Sequence, residues 1–206
     1  MPASVELGPK KERREASDRR MLRAAMALIR QKGIAGANLA QIGIDAGYSR
    51  GLPVQRFGTK LALLIAVLDA IEDRFMRHVE KRVGTRRGCA ALAERIRLQL
   101  EAVRDMPDSA VALYHLIIDS TGATPELRPR VVALQAAYHE NLRGYLSQAH
   151  EMGELLPDVD IDRSARMISG TISGMSIQAI VDGRTERLGD DAAALAKMLL
   201  DRVARG

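Results

Sequence analysis

Residues 22–68 read LRAAMALIRQKGIAGANLAQIGIDAGYSRGLPVQRFGTKLALLIAVL. Leu22, Ala25, Met26 and Ile29 follow the i, i+3, i+4, i+7 stripe of an amphipathic helix. Ser17 precedes it as a candidate N-cap, Arg30 and Lys32 favour its C-terminal end, and Gly33 stands just past it. Asn38 then caps a second, short helix in which Leu39, Ile42 and Ala46 share a face and Gly47 provides the stop. Ser49 is the expected cap of a third helical segment, RGLPVQRF, over residues 50–57. Two short helices joined through a glycine-containing turn have the form of a helix-turn-helix. Gly43, on the inner side of the second helix, would let the third cross it closely. Thr59 caps a much longer helix over Lys60–Val83, with Leu61, Leu64, Ile65, Leu68, Ile71, Phe75 and Val79 at helical spacing.

Outward from this stretch the apolar period stays helical. Helices are predicted over about 88–105, 109–120, 124–152 (Thr124 as cap, Pro125 at the first position), 161–182 and 190–204. β-branched and aromatic residues are too sparse for a sheet. The expected fold is all-α, about nine helices. Three parts are expected: a basic, disordered arm over 1–16, a helix-turn-helix head over 17–60, and a helical body over 61–206.

The 206 residues, 47% apolar and 28% charged, lie in the globular range and suffice for a sizeable core. The longest uncharged run, Met167–Val181, is 15 residues and is interrupted by glycines and serines, too short for a bilayer-spanning helix. The N-terminus has no apolar core of a secretory signal, and the single Cys89 has no internal partner, so a cytoplasmic location and no membrane association are expected. The net charge of +5 is unevenly distributed: residues 1–60 hold twelve Lys or Arg against five acids, whereas the other 146 carry 19 bases and 21 acids. A basic head on a near-neutral body suits a polyanionic partner.

On the third segment, Pro53 and Phe57 are four apart and can face inward, leaving Arg50, Gly51, Val54 and Gln55 outward with Arg56 at the edge. That face offers a guanidinium for guanine or phosphate, an amide for adenine, an apolar contact for a thymine methyl and a glycine for close approach. Around it, Asn38, Tyr48, Ser49 and Lys60 are groups suited to phosphate. Arg56 could serve either role.

These residues resemble the DNA-binding domain of the tetracycline-repressor (TetR) family of bacterial transcription regulators over Arg20–Phe75. The resemblance rests on the lysine-glycine end of the first helix, Ile42 with Ala46-Gly47, then Ser49-Arg50-Gly51, Phe57 and Lys60. It implies a homodimeric, all-helical regulator, most often a repressor, that binds a pseudo-palindromic double-stranded DNA operator and is released by a small-molecule effector held in the C-terminal body. There are departures: Val54 replaces a usual backbone-contacting tyrosine, Gln55 and Arg56 replace a frequent aromatic or histidine pair, and Gly43 replaces a common alanine.

In the body, the 161–182 segment is apolar on two sides, with Ile168, Ile172, Met175 and Ala179 on one stripe and Gly170, Gly174, Ile177 and Val181 on another. Two apolar sides need two partners. A symmetry mate is expected against Ile168, Gly170, Ile172, Gly174, Met175 and Ala179 together with Leu195 and Leu199 of the last helix. Tyr114 and His115 on one helix, with Gln135 and Tyr138 on the next, are polar groups among apolar neighbours, a mixture that can line a pocket for an apolar or amphipathic effector. No cofactor is implied, no metal-ligand spacing or phosphate loop occurs, and no enzymatic activity is expected. A helical enzyme would need a convergent acid-base or metal constellation; a nucleoid-binding or interaction protein of the same fold would lack selective operator reading.

Overall fold

The computed structural model describes residues 9–201, 203 and 204. These hold nine α-helices: α1 (Pro9–Gly36), α2 (Leu39–Asp45), α3 (Leu52–Phe57), α4 (Lys60–Val83), α5 (Gly88–Asp105), α6 (Pro107–Asp119), α7 (Arg128–Glu151), α8 (Ile161–Asp182) and α9 (Leu188–Leu200). Among the described residues the only β feature is an isolated antiparallel bridge, Leu155 to Ala204.

Several ends lie where local chemistry dictates. Asn38 Oδ1 accepts from the Gln41 N–H at 2.7 Å, Thr59 Oγ1 from the Ala62 N–H at 3.1 Å, and Asp160 Oδ1 from the Arg163 N–H at 2.9 Å. Each satisfies a donor that the first turn of a helix leaves unpaired. Gly33, at φ 67° and ψ 178°, breaks α1 just before its last turn, as its position past the apolar stripe implies.

Other expectations are corrected. Ser17 does not cap α1, which begins at Pro9: its hydroxyl donates to the Arg14 carbonyl at 2.7 Å from within the helix. The arm expected to be disordered over 1–16 is therefore helical over 9–16, while 1–8 lie outside the described residues. Ser49 does not cap α3 either. Its carbonyl accepts from the Leu52 N–H at 3.2 Å in a turn, so the helix starts at Leu52 behind Gly51. The helix expected from Pro125 is divided into a 3-10 turn over Pro125–Leu127 and α7. Pro129 has no N–H to reach the Pro125 carbonyl four residues back, and the Arg128 N–H takes that carbonyl in a tighter turn. α9 stops at Leu200, because the chain then turns and the Leu156 N–H donates to the Val203 carbonyl at 2.8 Å.

The first core joins the head to part of the body. Met21, Ala25 and Ile29 of α1, Ile42 of α2 and Leu64, Val67 and Leu68 of α4 pack in one cluster with Ala112 and Leu116 of α6, and with Leu127 and Val131 around the start of α7. Surface pairs tie the same elements: Arg30 to Asp108 at 2.8 Å between α1 and α6, and Arg130 of α7 to Asp69 and Glu72 of α4. A second core unites α5, α7, α8 and α9 through Leu92, Ile96, Leu142, Leu146, Ile168, Ile172 and Leu195. α5 lies inside this bundle, and even its Glu94 and Arg95 are buried.

Gly43 fixes how α2 and α3 meet. A Cβ there would stand 2.5 Å from the Ser49 carbonyl oxygen and 3.1 Å from Pro53 Cδ. A backbone carbonyl cannot swing aside as a side chain does. Gly43→Val is expected to cost about 1–3 kcal/mol through overpacking, read as a lower urea midpoint at unchanged m-value.

Candidate functional site

α3 is held by its inner side and offers its outer one. Pro53 is buried, and Leu52 and Phe57 pack on the head core. Arg50, Gly51, Val54 and Gln55 are exposed, with Val54 at 51%. Ser49 is exposed in the preceding turn, and Tyr48 lies half-buried against the core. Lys60 Nζ donates to the Ala35 carbonyl at 3.2 Å, which sets its ammonium beside the turn leading into exposed Asn38. The structure thus brings Asn38 and Lys60 to one loop, while Arg50, Gly51, Val54 and Gln55 share the outer surface of α3 and its entry.

Arg56 lies elsewhere. Its Nε is 3.5 Å from Asp18 Oδ1 and its Nη2 donates to Ser17 Oγ at 3.3 Å, leaving the side chain 20% exposed. Three residues beyond buried Pro53, it falls on the inner edge of α3 and ties that helix to α1. Arg56, expected at the edge of the outer face in a base or phosphate role, is instead turned in against α1.

In the body a cavity of about 180 Å³ opens between α4, α5, α6 and α7, with Ser173 of α8 at one wall. Tyr114, Gln135 and Tyr138, the polar groups expected among apolar neighbours, line it. His115 is not among its lining residues; one position past Tyr114, it is turned about 100° around the helix. Most of the wall is apolar, including Ile71, Phe75, Val103, Leu113, Ile117 and Leu134.

Arg95 is the buried charged residue of the cavity wall, on which Glu72, Arg74 and Gln99 also lie, and it is not among the residues expected from the sequence. Its residue is 2% exposed. The guanidinium carbon lies 4.7 Å from the Phe75 ring centroid and 4.8 Å from that of Tyr138. Nε donates to Asn141 Oδ1 and Nη1 to Gln99 Oε1, both at 2.8 Å. Among the described residues no carboxylate pairs with it, and burial lowers its affinity for the proton. The Tyr138 hydroxyl is buried without a hydrogen-bond partner, and burial pushes its pKa up to about 12. Burial also raises that of Tyr114, whose hydroxyl lies near Ser176 and Ser173. A signal for Arg95 did exist: it is four residues after Ala91 and three before Leu98, on the buried stripe of α5.

On α8 the two apolar stripes separate. Ile168 and Ile172, 3% and 1% exposed, and Leu195 of α9 are buried in the chain's own core; Met175, Ala179 and Leu199 pack against it. Ile168, Ile172 and Leu195 are therefore not a free face, which corrects their expected place at a dimer contact, whereas Met175, Ala179 and Leu199 stay half-buried beside it. The stripe left outside is Met167, Gly170, Gly174, Ile177 and Val181, with Met167 63% and Val181 78% exposed; Met198 of α9 is also exposed. A Cβ at Gly170 or Gly174 would meet nothing within 4 Å.

Little else is reactive. The Cys89 thiol is pushed up to about 11, first by burial and then by the neighbouring Glu154 carboxylate, so the nucleophilic thiolate is scarce at neutral pH. Among the described residues no group of three or more His, Cys, Asp or Glu could hold a metal ion, and no helix is long and apolar enough to cross a membrane.

Comparison with known proteins agrees with this division. Residues 21–67 match the family profile of bacterial regulatory proteins of the tetR family, and residues 93–205 match that of the C-terminal part of BetI-type transcriptional repressors. The HTH-type transcriptional regulator SrpR of Pseudomonas putida is 25% identical over 186 residues, 90% of this chain and 83% of that protein. A SmeT–triclosan complex, SmeT being a repressor from Stenotrophomonas maltophilia, superposes with a TM-score of 0.77 at 24% identity, covering 92% of each chain. FadR from Bacillus subtilis in complex with stearoyl-CoA gives 0.79 at 20% identity over 88% of this chain and 97% of that one.

Proposed function

The chain belongs to the TetR family of bacterial transcriptional regulators, and on that premise we propose that it acts as a ligand-released repressor, binding a pseudo-palindromic operator as a homodimer. The observation that carries the reading is the outer face of α3, where Arg50, Gly51, Val54 and Gln55 stand free while Pro53, Leu52 and Phe57 anchor the helix from behind. In the proposed complex this face enters the major groove. Arg50 and Gln55 meet base edges, Val54 offers a methyl contact, and Asn38, Tyr48, Ser49 and Lys60 take the flanking phosphates. Arg56 positions α3 through Asp18 and Ser17. Two copies engage grooves a whole number of turns apart, ~34–36 Å per turn.

The small-molecule effector occupies the body cavity. Two helices connect it to the head. α4 carries cavity residues Ile71 and Phe75 in the same helix that begins at Lys60. α6 gives Leu113, Tyr114 and Ile117 to the cavity and Ala112 and Leu116 to the core shared with α1. A ligand that prefers a different disposition of α4 and α6 would re-space the two heads and release DNA, limited by its differential affinity for the two states.

The homodimer forms through the outer stripe of α8 with α9, where exposed Met167, Ile177, Val181 and Met198 would be covered and Gly170 and Gly174 admit close approach.

Mobility shift on DNA upstream of the protein's own gene tests the reading: a discrete complex that resists nonspecific competitor is expected, whereas uniform binding to all sequences would indicate nucleoid-type association. Gln55→Ala is expected to change base preference, and Lys60→Ala to weaken every sequence alike and flatten the log–log salt slope by about one unit. Ile177→Glu or Val181→Glu is expected to sediment as a folded monomer and to lose operator affinity; a variant that stays dimeric would place the interface elsewhere.

A further inference from the structure

Resting on the reading of the body cavity as the effector site, we propose that its ligand is a compact amphipathic anion: a carboxylate on an apolar body about the size of a benzene ring, held by Arg95 and Tyr138.

A guanidinium taken out of water normally brings a carboxylate with it, because an unpaired buried charge is expensive. Arg95 instead has two neutral amide acceptors, Gln99 and Asn141, and the faces of two rings, Phe75 and Tyr138. Those rings supply negative quadrupole but no hydrogen-bond acceptor in the guanidinium plane. Gln99 and Asn141 accept two of its five N–H donors. The other buried charge among the described residues is treated differently: Glu94, on the same helix, has Arg82 at 2.8 Å and Arg97 at 3.7 Å. Among the described residues Arg95 thus has no carboxylate partner, and the carboxylate on the cavity wall, Glu72, is already taken by Arg130.

The Tyr138 hydroxyl is a second, independent sign. It is buried with no hydrogen-bond partner, on the residue whose ring stacks on Arg95, and both side chains line the cavity. A buried hydroxyl without a partner costs stability unless a bound group supplies one. A carboxylate can accept from the phenol and from the remaining guanidinium donors at once. A cationic ligand would be repelled by Arg95, and a neutral hydrocarbon would leave both donor sets unmet. The rest of the wall, including Ile71, Leu113, Ile117 and Leu134, suits an apolar body. The volume, about 180 Å³, is comparable with the ~150 Å³ of a cavity that accepts benzene, so a ring-sized apolar body fits.

Titration calorimetry on the full chain with benzoate, benzamide and toluene tests this. Benzoate is expected to bind at least about tenfold more tightly than benzamide. Arg95→Met should erase that preference. Tyr138→Phe should weaken benzoate about three- to tenfold, yet leave the ligand-free unfolding midpoint unchanged or higher, since it removes only an unpartnered hydroxyl. If Arg95→Met does not fold, Tyr138→Phe decides alone. Equal or tighter binding of benzamide or toluene, or a Tyr138→Phe chain that holds benzoate as well as its parent, overturns the anion proposal but leaves the cavity as a ligand site. If none of the three binds, the cavity reading falls, and this proposal with it.

Discussion

The contact between α1 and α6 is the constraint on which the architecture turns. A head made from α1, α2 and α3 alone has too few apolar side chains to enclose them, and small units bury too little of their surface to be stable. Here Met21, Ala25 and Ile29 find their cover in Ala112 and Leu116, supplied by a helix some eighty residues away. Arg30 with Asp108 and the Ser109 hydroxyl near Met26 Sδ lie along the same seam. The head therefore has no separate core: its interior continues into the body, and α6 has one side in each. α4, 24 residues and about 36 Å long, runs alongside as the covalent link. A displacement at the cavity wall meets the head through close-packed side chains, which transmit movement rather than absorb it.

Charge inside α5 is handled in two contrasting ways. Glu94 is neutralised by Arg82 and Arg97 in a pairing that the fold completes by itself. Arg95, one residue on, lies at the cavity wall over two aromatic rings, with Gln99 and Asn141 as its acceptors. The cation–π contacts reduce the cost of the first arrangement available to it, yet Phe75 belongs to α4 and Tyr138 to α7, so one guanidinium also fastens three helices around the cavity. A ligand bound in the cavity as proposed would act directly on that fastening.

Much of this organisation was legible in the residues because it is local. Asn38, Thr59 and Asp160 have their cap partners three residues away, and Pro53 and Phe57 are oriented by helical period alone. Misreadings arose where a distant partner decides. Ser17 has a good cap side chain, but it lies within a longer helix and its hydroxyl accepts from Arg56, 39 residues on. Arg56 looks like a surface base until Asp18 is placed beside it. On α8 both stripes are apolar, and only the packing of α5, α7 and α9 shows that Ile168 and Ile172 belong inside and Ile177 and Val181 outside. Arg95 escaped notice because arginine is mostly exposed, although its spacing from Ala91 and Leu98 marked the buried stripe.

The division of labour on α3 has a consequence for design. Gly43, Pro53 and Phe57 fix the pitch and height of that helix, whereas Arg50, Val54 and Gln55 are exposed. Changing the latter three removes little packing, so, with α3 as the proposed base-reading helix, a combinatorial library at those codons would sample new DNA preferences on an almost constant scaffold. On that proposal retargeting and folding are separable, and a sensor built from this body could be pointed at a promoter of choice without re-engineering its interior.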